Sequence, residues 1–509
     1  MIEVISDLID KQNKVLKKPA LIFDGRKISY AELKDRTDKL AKGLIKLGIE
    51  KGDKIGILLR NCPEYVISLF GIIKAGAIVV PLNFMLKEEE LKPILEEAEI
   101  KLVISSSEFL SILERLRLRI ECFNFIVLID EEKKEEYFYS LLEKQRVEKI
   151  ELPKLSRDEL CVLIYTSGTT GIPKGVMLSH RNFISNIEAC LEVINFSARE
   201  RVICILPLFH SFTLTVCLFL PLYLGSCILL FATVRSLGKV LKGLVKYRGT
   251  IFIGIPQIYK VMSDFKMPWL LKIPVIRKFI FPLKLCISGA APLPGEVLTN
   301  FQKKFKIPLL EGYGLTEASP VVSINPPYKV KPGSVGLPLP GIEVKVVNDK
   351  GEELSRGEEG ELILKGENVM LGYYKQEEET KKVIKDGWLY TGDIAKIDEE
   401  GYIYILDRKK DLIIVRGLNV YPREVEEVIY QNPKVKEVCV VGIPDESRGE
   451  VPKAFVVVKE GEELTAKELL EFLRPRLAGY KIPRYIEFRD ELPKSPSGKI
   501  LRKELKDKI

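Results

Sequence analysis

Short apolar runs rich in β-branched residues alternate with helical stretches along the first part of the chain. The runs are "KIGILL", "AIVVPL", "KLVIS", "FIVLI", "LCVLIY", "VICIL", "CILLF", "TIFIGI" and "KLCIS". Strands that are buried on both faces read as continuous apolar runs, so the pattern predicts parallel sheets covered by helices, and the number of runs predicts two of them. A chain of 509 residues also exceeds what one hydrophobic core usually supports.

The sequence pattern changes twice towards the C-terminus. After Lys331, glycines punctuate short strands such as "GELILKG", which predicts a more antiparallel, barrel-like section. At "LDRKKDLIIVRG" a basic cluster precedes a new α+β pattern. We therefore predict an α/β fold in which residues 1–407 form two sheet subdomains plus the barrel-like section, residues 408–410 form a hinge, and residues 411–509 form a small mobile domain.

Composition excludes several classes of protein. The 79 Lys and Arg against 71 Asp and Glu give a net charge of +8, but the charges are interspersed, so nucleic acid is not an expected partner, whereas anionic ligands or a membrane surface are. Nine cysteines without a CxxC pair indicate reduced thiols in a cytoplasmic protein, and the N-terminus lacks the apolar core of a signal peptide. Two histidines, His180 and His210, are too few for a His-rich metal site.

The segment 202–234 contains no Asp, Glu, Lys or Arg and could span a bilayer by its length alone. Pro207, Pro221 and the pair Gly225-Ser226 interrupt it. These interruptions predict a strand, a helix and a strand inside an α/β domain rather than a membrane span.

The stretch "YTSGTTGIPKG" follows the apolar run "LCVLI" and is rich in small and hydroxylated residues. Its candidate ligands for a phosphate chain are backbone N–H groups, hydroxyls and one lysine, contributed by Thr166, Ser167, Gly168, Thr169, Thr170, Gly171 and Lys174. It is not a Walker loop, because Pro173 and Gly175 flank the lysine where that motif has glycine and a hydroxyl residue. Taken alone, the stretch also fits a Gly/Thr-rich surface turn.

Together with seven further segments, this stretch resembles the adenylate-forming superfamily of acyl-CoA synthetases, luciferases and peptide-synthetase adenylation domains. The segments, in chain order, are "PLFHSF", "SGAAPLP", "EGYGLTEASP", "GELILKG…GYY", "GWLYTGD", "DRKKDLIIVRGLNVYPREVE" and "PKSPSGKILRKEL". The resemblance covers nearly the whole chain. It implies that the loop holds the β- and γ-phosphates of ATP, that Thr316 binds the α-phosphate, and that Glu317 binds Mg²⁺.

The resemblance also implies a nucleoside site. Small residues would form a wall beside the purine: Gly289, Ala290 and Pro292. Tyr313 offers a ring for stacking, Asp393 resembles the acceptor of the ribose hydroxyls, and Arg408 would support the same ribose. The alternative, in which Asp393 and Arg408 have only local partners, stays open at this stage.

Two lysines and one glycine carry the expected domain motion. Lys499 lies on a Gly/Ser/Pro-rich tail, and in the family it bridges the substrate carboxylate and the α-phosphate during adenylation. Lys410 occupies the family's hinge position, about which the small domain rotates to present "RGLNVYP" for a pantetheine tunnel, with Gly417 passing close to the thiol arm.

The acid to be activated is predicted from the uncharged segment. His210 occupies the family's acyl-pocket position, although a satisfied core histidine fits equally well, and "FIGIPQIY" adds Gly254, Ile255 and Pro256 to the pocket. An amino acid would need a carboxylate for its ammonium, and segment 202–234 has none. The prediction is therefore a ligase that uses ATP and Mg²⁺ to join a medium- to long-chain fatty acid to CoA.

Four alternatives remain at this stage. An acyl-acyl-carrier-protein synthetase would use the same adenylate, an aromatic-acid CoA ligase would need no counter-charge either, and a luciferase-like oxygenase shares the first step. A silent fatty-acid-binding or uptake protein would be expected to lose Lys499, Glu317 or the loop hydroxyls, and all are present. Peripheral membrane contact is left open by the charge.

Overall fold

The computed structural model describes residues 2–130, 138, 150–166, 173–232, 237–264, 281–416, 418–445, 447–494 and 500–506. Its strands are β1 Pro19–Phe23, β2 Arg26–Ser29, β3 Lys54–Leu58, β4 Ile78–Pro81, β5 Ile100–Ser105, β6 Phe125–Leu128, β7 Leu160–Thr166, β8 Lys174–Ser179, β9 Arg201–Cys204, β10 Cys227–Leu230, β11 Ile251–Gly254, β12 Leu285–Ser288, β13 Leu309–Gly314, β14 Val321–Ile324, β15 Leu337–Pro338, β16 Glu343–Val347, β17 Gly360–Lys365, β18 Gly372–Tyr373, β19 Ile384–Lys385, β20 Trp388–Ile397, β21 Ile403–Arg408, β22 Ile413–Val415, β23 Leu418–Val420, β24 Val435–Asp445, β25 Gly449–Val458 and β26 Tyr485–Phe488.

The described helices are α1 Asp7–Asp10, α2 Tyr30–Lys46, α3 Pro63–Lys74, α4 Glu88–Glu97, α5 Leu110–Arg117, α6 His180–Val193, α7 Ser211–Thr213, α8 Leu220–Tyr223, α9 Leu237–Lys246, α10 Pro256–Asp264, α11 Gly295–Phe305, α12 Glu377–Val383, α13 Pro422–Tyr430, α14 Ala466–Leu473 and α15 Arg502–Lys506. A π-helical segment, Leu214–Phe219, joins α7 to α8. Side chains define several helix starts: the Ser29 hydroxyl accepts from the backbone N–H of Glu32 at α2, and Ser179 and Asn182 form a reciprocal cap at α6.

Two large sheets contain the strands that were predicted from the alternation of apolar runs with helical stretches. Sheet A has nine strands in the order β15-β14-β13-β12-β11-β9-β10-β1-β2, and its strands from β13 to β1 are parallel. Sheet B has seven strands in the order β18-β8-β7-β4-β3-β5-β6, with β7 to β6 parallel and β8 and β18 antiparallel at one edge. The prediction of two parallel α/β sheets is confirmed.

Two smaller antiparallel sheets follow. Sheet C joins β16, β17, β20 and β19, with β21 beside β20, which confirms the antiparallel character predicted after Lys331. Sheet D joins β23, β22, β25 and β24, with β26 parallel to β25, and it carries α13 and α14 as the predicted α+β pattern. The turn Lys409–Asp411 connects the two sheets, while the division at residues 407–411 stays a prediction.

Helix α3 is the centre of the large N-terminal core. All of its residues are buried, and one apolar cluster combines its side chains with residues of both sheet A and sheet B. Even Lys74 is buried, and its ammonium lies 2.6 Å from a carboxylate oxygen of Asp10 and 2.6 Å from one of Asp38. A buried cation requires such partners, so the pairing ties α1 and α2 to the central helix.

The uncharged segment is folded as predicted. It contains β9, the helical run from α7 to α8, and β10, which is the expected strand, helix and strand. Among the described residues, no helix combines the length and apolarity needed to cross a bilayer.

Helix α2 packs closely on α3 at Gly71, and a substitution there tests this contact. A Cβ atom at Gly71 would lie 2.7 Å from Leu40 Cδ2, whereas no described atom lies within 4 Å of the same position at Gly238 in α9. Forced overpacking typically costs about 1–3 kcal/mol, so we expect Gly71→Val to lower the midpoint of thermal unfolding measured by calorimetry. Gly238→Val is the matched control and should leave that midpoint nearly unchanged, and equal midpoints for both variants would contradict the packing argument.

Candidate active site

The carboxyl edge of sheet A brings together most of the predicted side chains. Residues at or just after the ends of its parallel strands are His210 after β9, Gly254, Ile255 and Pro256 after β11, Gly289, Ala290 and Pro292 after β12, and Tyr313, Thr316 and Glu317 at the end of β13. Parallel strands release the chain at the same edge, where ligands of α/β proteins bind. The backbone N–H of Gly289 donates to the carbonyl of Gly254 at 3.2 Å, which joins two of these turns directly.

The turn after β12 is shaped by close contact with an aromatic ring. A Cβ atom at Gly289 would lie 2.6 Å from Cζ of Phe212, so only glycine allows that ring to occupy its place. The next residue, Ala290, has a φ of 66° and turns the chain in the left-handed region. Gly289 and Ala290 were predicted site residues and Phe212 was not, although "PLFHSF" contains it.

His210 lies in an aromatic setting at the start of α7. Its ring centroid is 4.3 Å from that of Phe209, and Phe209 in turn packs edge-on against Phe84 at 5.4 Å. On the neighbouring strand β11, Gly254 leads into Ile255 and Pro256, the start of α10. The surroundings of the predicted acyl-pocket residues are therefore apolar and aromatic.

The turn after β13 is tied to the helical run that follows β9. The hydroxyl oxygens of Thr316 and Ser211 are 3.1 Å apart, and the hydroxyl of Thr215 in the π-helical segment donates to the carbonyl of Ser319 at 3.0 Å. These bonds hold Thr316 in place from the side of the predicted acyl pocket. Ser211 was not predicted, and its place directly after His210 was the one available signal.

Glu317 and Lys174 meet through a tyrosine. The hydroxyl of Tyr373 in β18 donates to Glu317 Oε1 at 3.0 Å, and the Lys174 ammonium lies 4.9 Å from the centroid of the same ring. Burial, followed by the nearby Glu317 carboxylate, raises the pKa of Tyr373, so its hydroxyl stays protonated and donates. Three residues far apart in sequence thus lie close together, and their roles towards phosphate and metal stay predictions.

Of the loop from Thr166 to Lys174, the structure describes the two ends. The Thr166 hydroxyl donates to the carbonyl of Lys174 at 3.5 Å, and Lys174 pairs with Glu379 of α12 at 2.6 Å. The remaining predicted residues lie outside the described residues: Ser167, Gly168, Thr169, Thr170 and Gly171 of the loop, together with Gly417 and Lys499.

A second cluster contains the predicted nucleoside residues. The hydroxyl of Tyr313 donates to Asp393 Oδ2, and the guanidinium Nε of Arg408 lies 2.6 Å from Asp393 Oδ1. Asp393 in β20 pairs with Arg408 in β21, so sheet C places both beside Tyr313 of sheet A. Burial and the adjacent Asp393 raise the pKa of Tyr313 well above its ordinary value. The Asp393 side chain is only 3% exposed, and Tyr313 and Arg408 contact its two carboxylate oxygens.

The role of Glu317 as a ligand of Mg²⁺ stays a prediction. In the described residues no group of three or more His, Cys, Asp or Glu side chains could hold an ion. Mg²⁺ is commonly bound through one or two carboxylates plus the phosphates of a nucleotide, so the single carboxylate of Glu317 is consistent with a phosphate-bridged ion.

The hinge candidate lies in the turn between sheets C and D. Lys410 is exposed, while its neighbour Lys409 pairs with Asp349 at 2.8 Å and Glu361 at 3.1 Å. Just before the turn, Asp407 accepts the backbone N–H of Arg423 in α13 at 2.8 Å. Lys409 thus has carboxylate partners in and next to sheet C.

One buried carboxyl at this edge was missed. Glu311 in β13 is 2% exposed and accepts the backbone N–H of Leu293 at 2.9 Å. Burial raises its pKa to about 7 against the opposing effect of Arg423. Its position at the end of an apolar strand in "LLEGYG" was the only available signal.

Comparison with known proteins gives matches over both parts of the chain. Residues 10–374 match the family "AMP-binding enzyme", and residues 424–499 match "AMP-binding enzyme C-terminal domain". A relative from Bacillus subtilis (strain 168), named long-chain-fatty-acid–CoA ligase, is 38% identical over 531 aligned residues, covering 98% of this chain and 93% of the relative.

Two solved structures superpose on nearly the whole chain. An anthranilate CoA ligase, AuaEII, in complex with anthranoyl-AMP superposes with a TM-score of 0.91 at 30% identity, covering 99% of this chain and 96% of that one. ATP-bound MatB from Rhodopseudomonas palustris superposes with a TM-score of 0.90 at 31% identity, covering 99% and 98%.

The Asp393 cluster yields a test of its own. Hydrogen bonds to a charged group contribute about 1.5–3 kcal/mol, so we expect Asp393→Asn to weaken AMP binding, measured by calorimetry, by about 10- to 100-fold. Asp398→Asn is the control, because Asp398 pairs with Lys331 at 2.6 Å outside this cluster. Unchanged AMP affinity in Asp393→Asn would mean that Asp393 serves only its local partners.

The matched families, the relatives and the converging side chains agree on one assignment. The first matched segment contains the residues at the carboxyl edge of sheet A together with Lys174 and Tyr373, and Asp393 and Arg408 lie between the two matched segments. The chain belongs to the AMP-binding enzyme family of adenylate-forming ligases.

Proposed function

We propose that this protein is an AMP-forming ligase that joins a medium- to long-chain fatty acid to CoA. The observation that carries the proposal is that Lys174 and Tyr373 of sheet B meet Glu317 at the carboxyl edge of sheet A. Strand β9, the first strand of the uncharged segment, ends at the same edge. A triphosphate and an apolar acid would thereby meet at one place. The name of the B. subtilis relative supports the choice of a long-chain acid.

In the first step, a carboxylate oxygen of the fatty acid attacks the α-phosphorus of ATP. The bond from that phosphorus to the oxygen of the β-phosphate breaks, pyrophosphate leaves with the electron pair, and acyl-AMP remains. We assign Thr316 to the α-phosphate, with Ser211 at 3.1 Å orienting its hydroxyl, and the loop from Thr166 to Lys174 to the β- and γ-phosphates. Mg²⁺ held by Glu317 would supply charge neutralisation between the phosphates.

In the second step, the CoA thiolate attacks the acyl carbon. The bond from this carbon to the phosphate oxygen breaks, AMP leaves with the electron pair, and the thioester remains. We assign the nucleoside of AMP to Tyr313, Asp393 and Arg408, beside the small-residue turn Gly289, Ala290 and Pro292. Rotation of residues 411–509 about Lys410 would bring Gly417 towards the thiol arm between the two steps.

The remaining parts of the proposal concern location and acceptor. Nine free cysteines, most of them buried, fit a reducing cytoplasm, and a fatty acid that partitions into lipid fits peripheral contact with a membrane surface. An acyl carrier protein is a second candidate acceptor, because it presents the same phosphopantetheine thiol as CoA. An aromatic acid is a second candidate substrate, since the anthranilate ligase superposes over nearly the whole chain.

A substrate panel tests the proposal. Each buried methylene contributes about 0.8 kcal/mol, so kcat/KM should rise about fourfold per methylene until the pocket is full. We expect pyrophosphate release with octanoate or palmitate, and little with acetate, amino acids or dicarboxylates, when ATP, Mg²⁺ and either CoA or carrier protein are supplied. A higher kcat/KM for acetate or coumarate would sink the fatty acyl assignment, and no pyrophosphate with any acid would favour a silent binding protein.

The role proposed for Lys499 has a separate test. Its tail is anchored shortly afterwards by Arg502, whose guanidinium lies 2.8 Å from Glu426. Removing a donor that stabilises transition-state charge costs about 100-fold or more, so Lys499→Ala should slow adenylate formation by that factor while thiolysis of supplied acyl-AMP survives. Lys503→Ala, an equal charge change at an exposed position of the same tail, should leave both half-reactions intact. Equal losses in both half-reactions would refute the divided role.

A further inference from the structure

The lysine assigned to the phosphates already has an anionic partner in this chain. The Lys174 ammonium lies 2.6 Å from Glu379 Oε2, and the side chains are 14% and 32% exposed. Glu379 also accepts from Lys382, its neighbour on α12. Because two lysines contact it, the pKa of Glu379 is lowered to about 2, and the carboxylate is charged at neutral pH.

The same ammonium faces the position assigned to the triphosphate. It lies over the ring of Tyr373, whose hydroxyl donates to Glu317, and Glu317 lies in the turn next to Thr316. A phosphate chain extending from Thr316 towards the loop therefore approaches Lys174 from the side of Tyr373. Glu379 contacts Lys174 from α12, so carboxylate and phosphate would compete for one ammonium.

We propose that Glu379 is a positioning residue that holds Lys174 when no triphosphate is bound and releases it to the β- and γ-phosphates of ATP. This inference rests on the proposed function, because it requires Lys174 to contact those phosphates. When pyrophosphate departs, Glu379 takes the ammonium back, and no bond other than these ionic contacts is made or broken. The carboxylate thus weakens the binding of ATP and pyrophosphate alike, and it does not act on AMP, which lacks both phosphates.

The helix itself offers a matched control. Glu378 precedes Glu379 in the same first turn of α12, is 81% exposed, and pairs with Lys381 at 2.8 Å. Glu378→Gln and Glu379→Gln therefore remove the same charge from adjacent positions, but only the second variant removes the partner of Lys174. Glu379→Ala serves as a further variant, since it also removes the amide oxygen that Gln would present to the lysine.

The experiment measures binding to the full-length chain by titration calorimetry, with ATP, pyrophosphate and AMP as probes and with Mg²⁺ present. A partly exposed ion pair contributes only modestly to binding, and the freed Lys382 adds attraction, so Glu379→Gln should tighten ATP and pyrophosphate binding by about 3- to 10-fold. AMP affinity should stay within about twofold, and Glu378→Gln should match the unaltered chain for all three probes. The gain should shrink at high ionic strength, because salt screens the charges.

The outcomes separate this inference from the proposed function. If the unaltered chain binds ATP and Glu379→Gln and Glu379→Ala leave that affinity unchanged or weaken it, the inference is overturned while the proposed function stands. Equal tightening of ATP and AMP would also overturn it, because a general structural effect would act on both. If the unaltered chain binds no ATP, the proposed function falls and takes this inference with it.

Discussion

Neighbouring parallel strands of sheet A all end at one edge, and the candidate site depends on that constraint. A strand buried on both faces must be apolar along its length, so polar chemistry can begin only where the strand stops. The turns after β9, β11, β12 and β13 therefore carry the side chains that differ most from the core. The bond from Gly289 N–H to the Gly254 carbonyl and the contact of Thr316 with Ser211 show how closely these turns approach one another.

The two ends of the site are held by different kinds of support. At the end proposed for the nucleoside, the strand pair β20 and β21 sets Asp393 opposite Arg408, so backbone pairing positions the ion pair. At the end proposed for the phosphates, sheet B contributes Lys174 and Tyr373 from adjacent edge strands, while Glu317 follows β13 of sheet A. The packing of both sheets around α3 therefore determines the distance between Lys174 and Glu317.

Much of this arrangement could be predicted from the sequence, because local sequence patterns determine the strands and the helices between them. The apolar runs predicted the strands of both sheets, and the interruptions at Pro207 and Pro221 predicted the helix between β9 and β10. The π-helical turns of Leu214–Phe219 could not be predicted, since their hydrogen-bond pattern accompanies a tertiary contact of Thr215 with Ser319. The pairing of Lys174 with Glu379 likewise joins distant segments, and no rule about residue spacing predicts it.

Arg408 is the last residue of β21, and its side chain is bonded to the buried Asp393 while the chain continues into the exposed turn Lys409–Asp411. Arg408 therefore joins the start of this connection directly to Asp393 in the neighbouring strand β20. Asp407, one residue earlier, accepts the N–H of Arg423, so residues 407–408 are bonded both to a residue before the turn and to a residue after it. A change in the backbone of the turn would therefore move Arg408, so one residue links the course of the chain towards the C-terminus with the contact that we propose for the ribose.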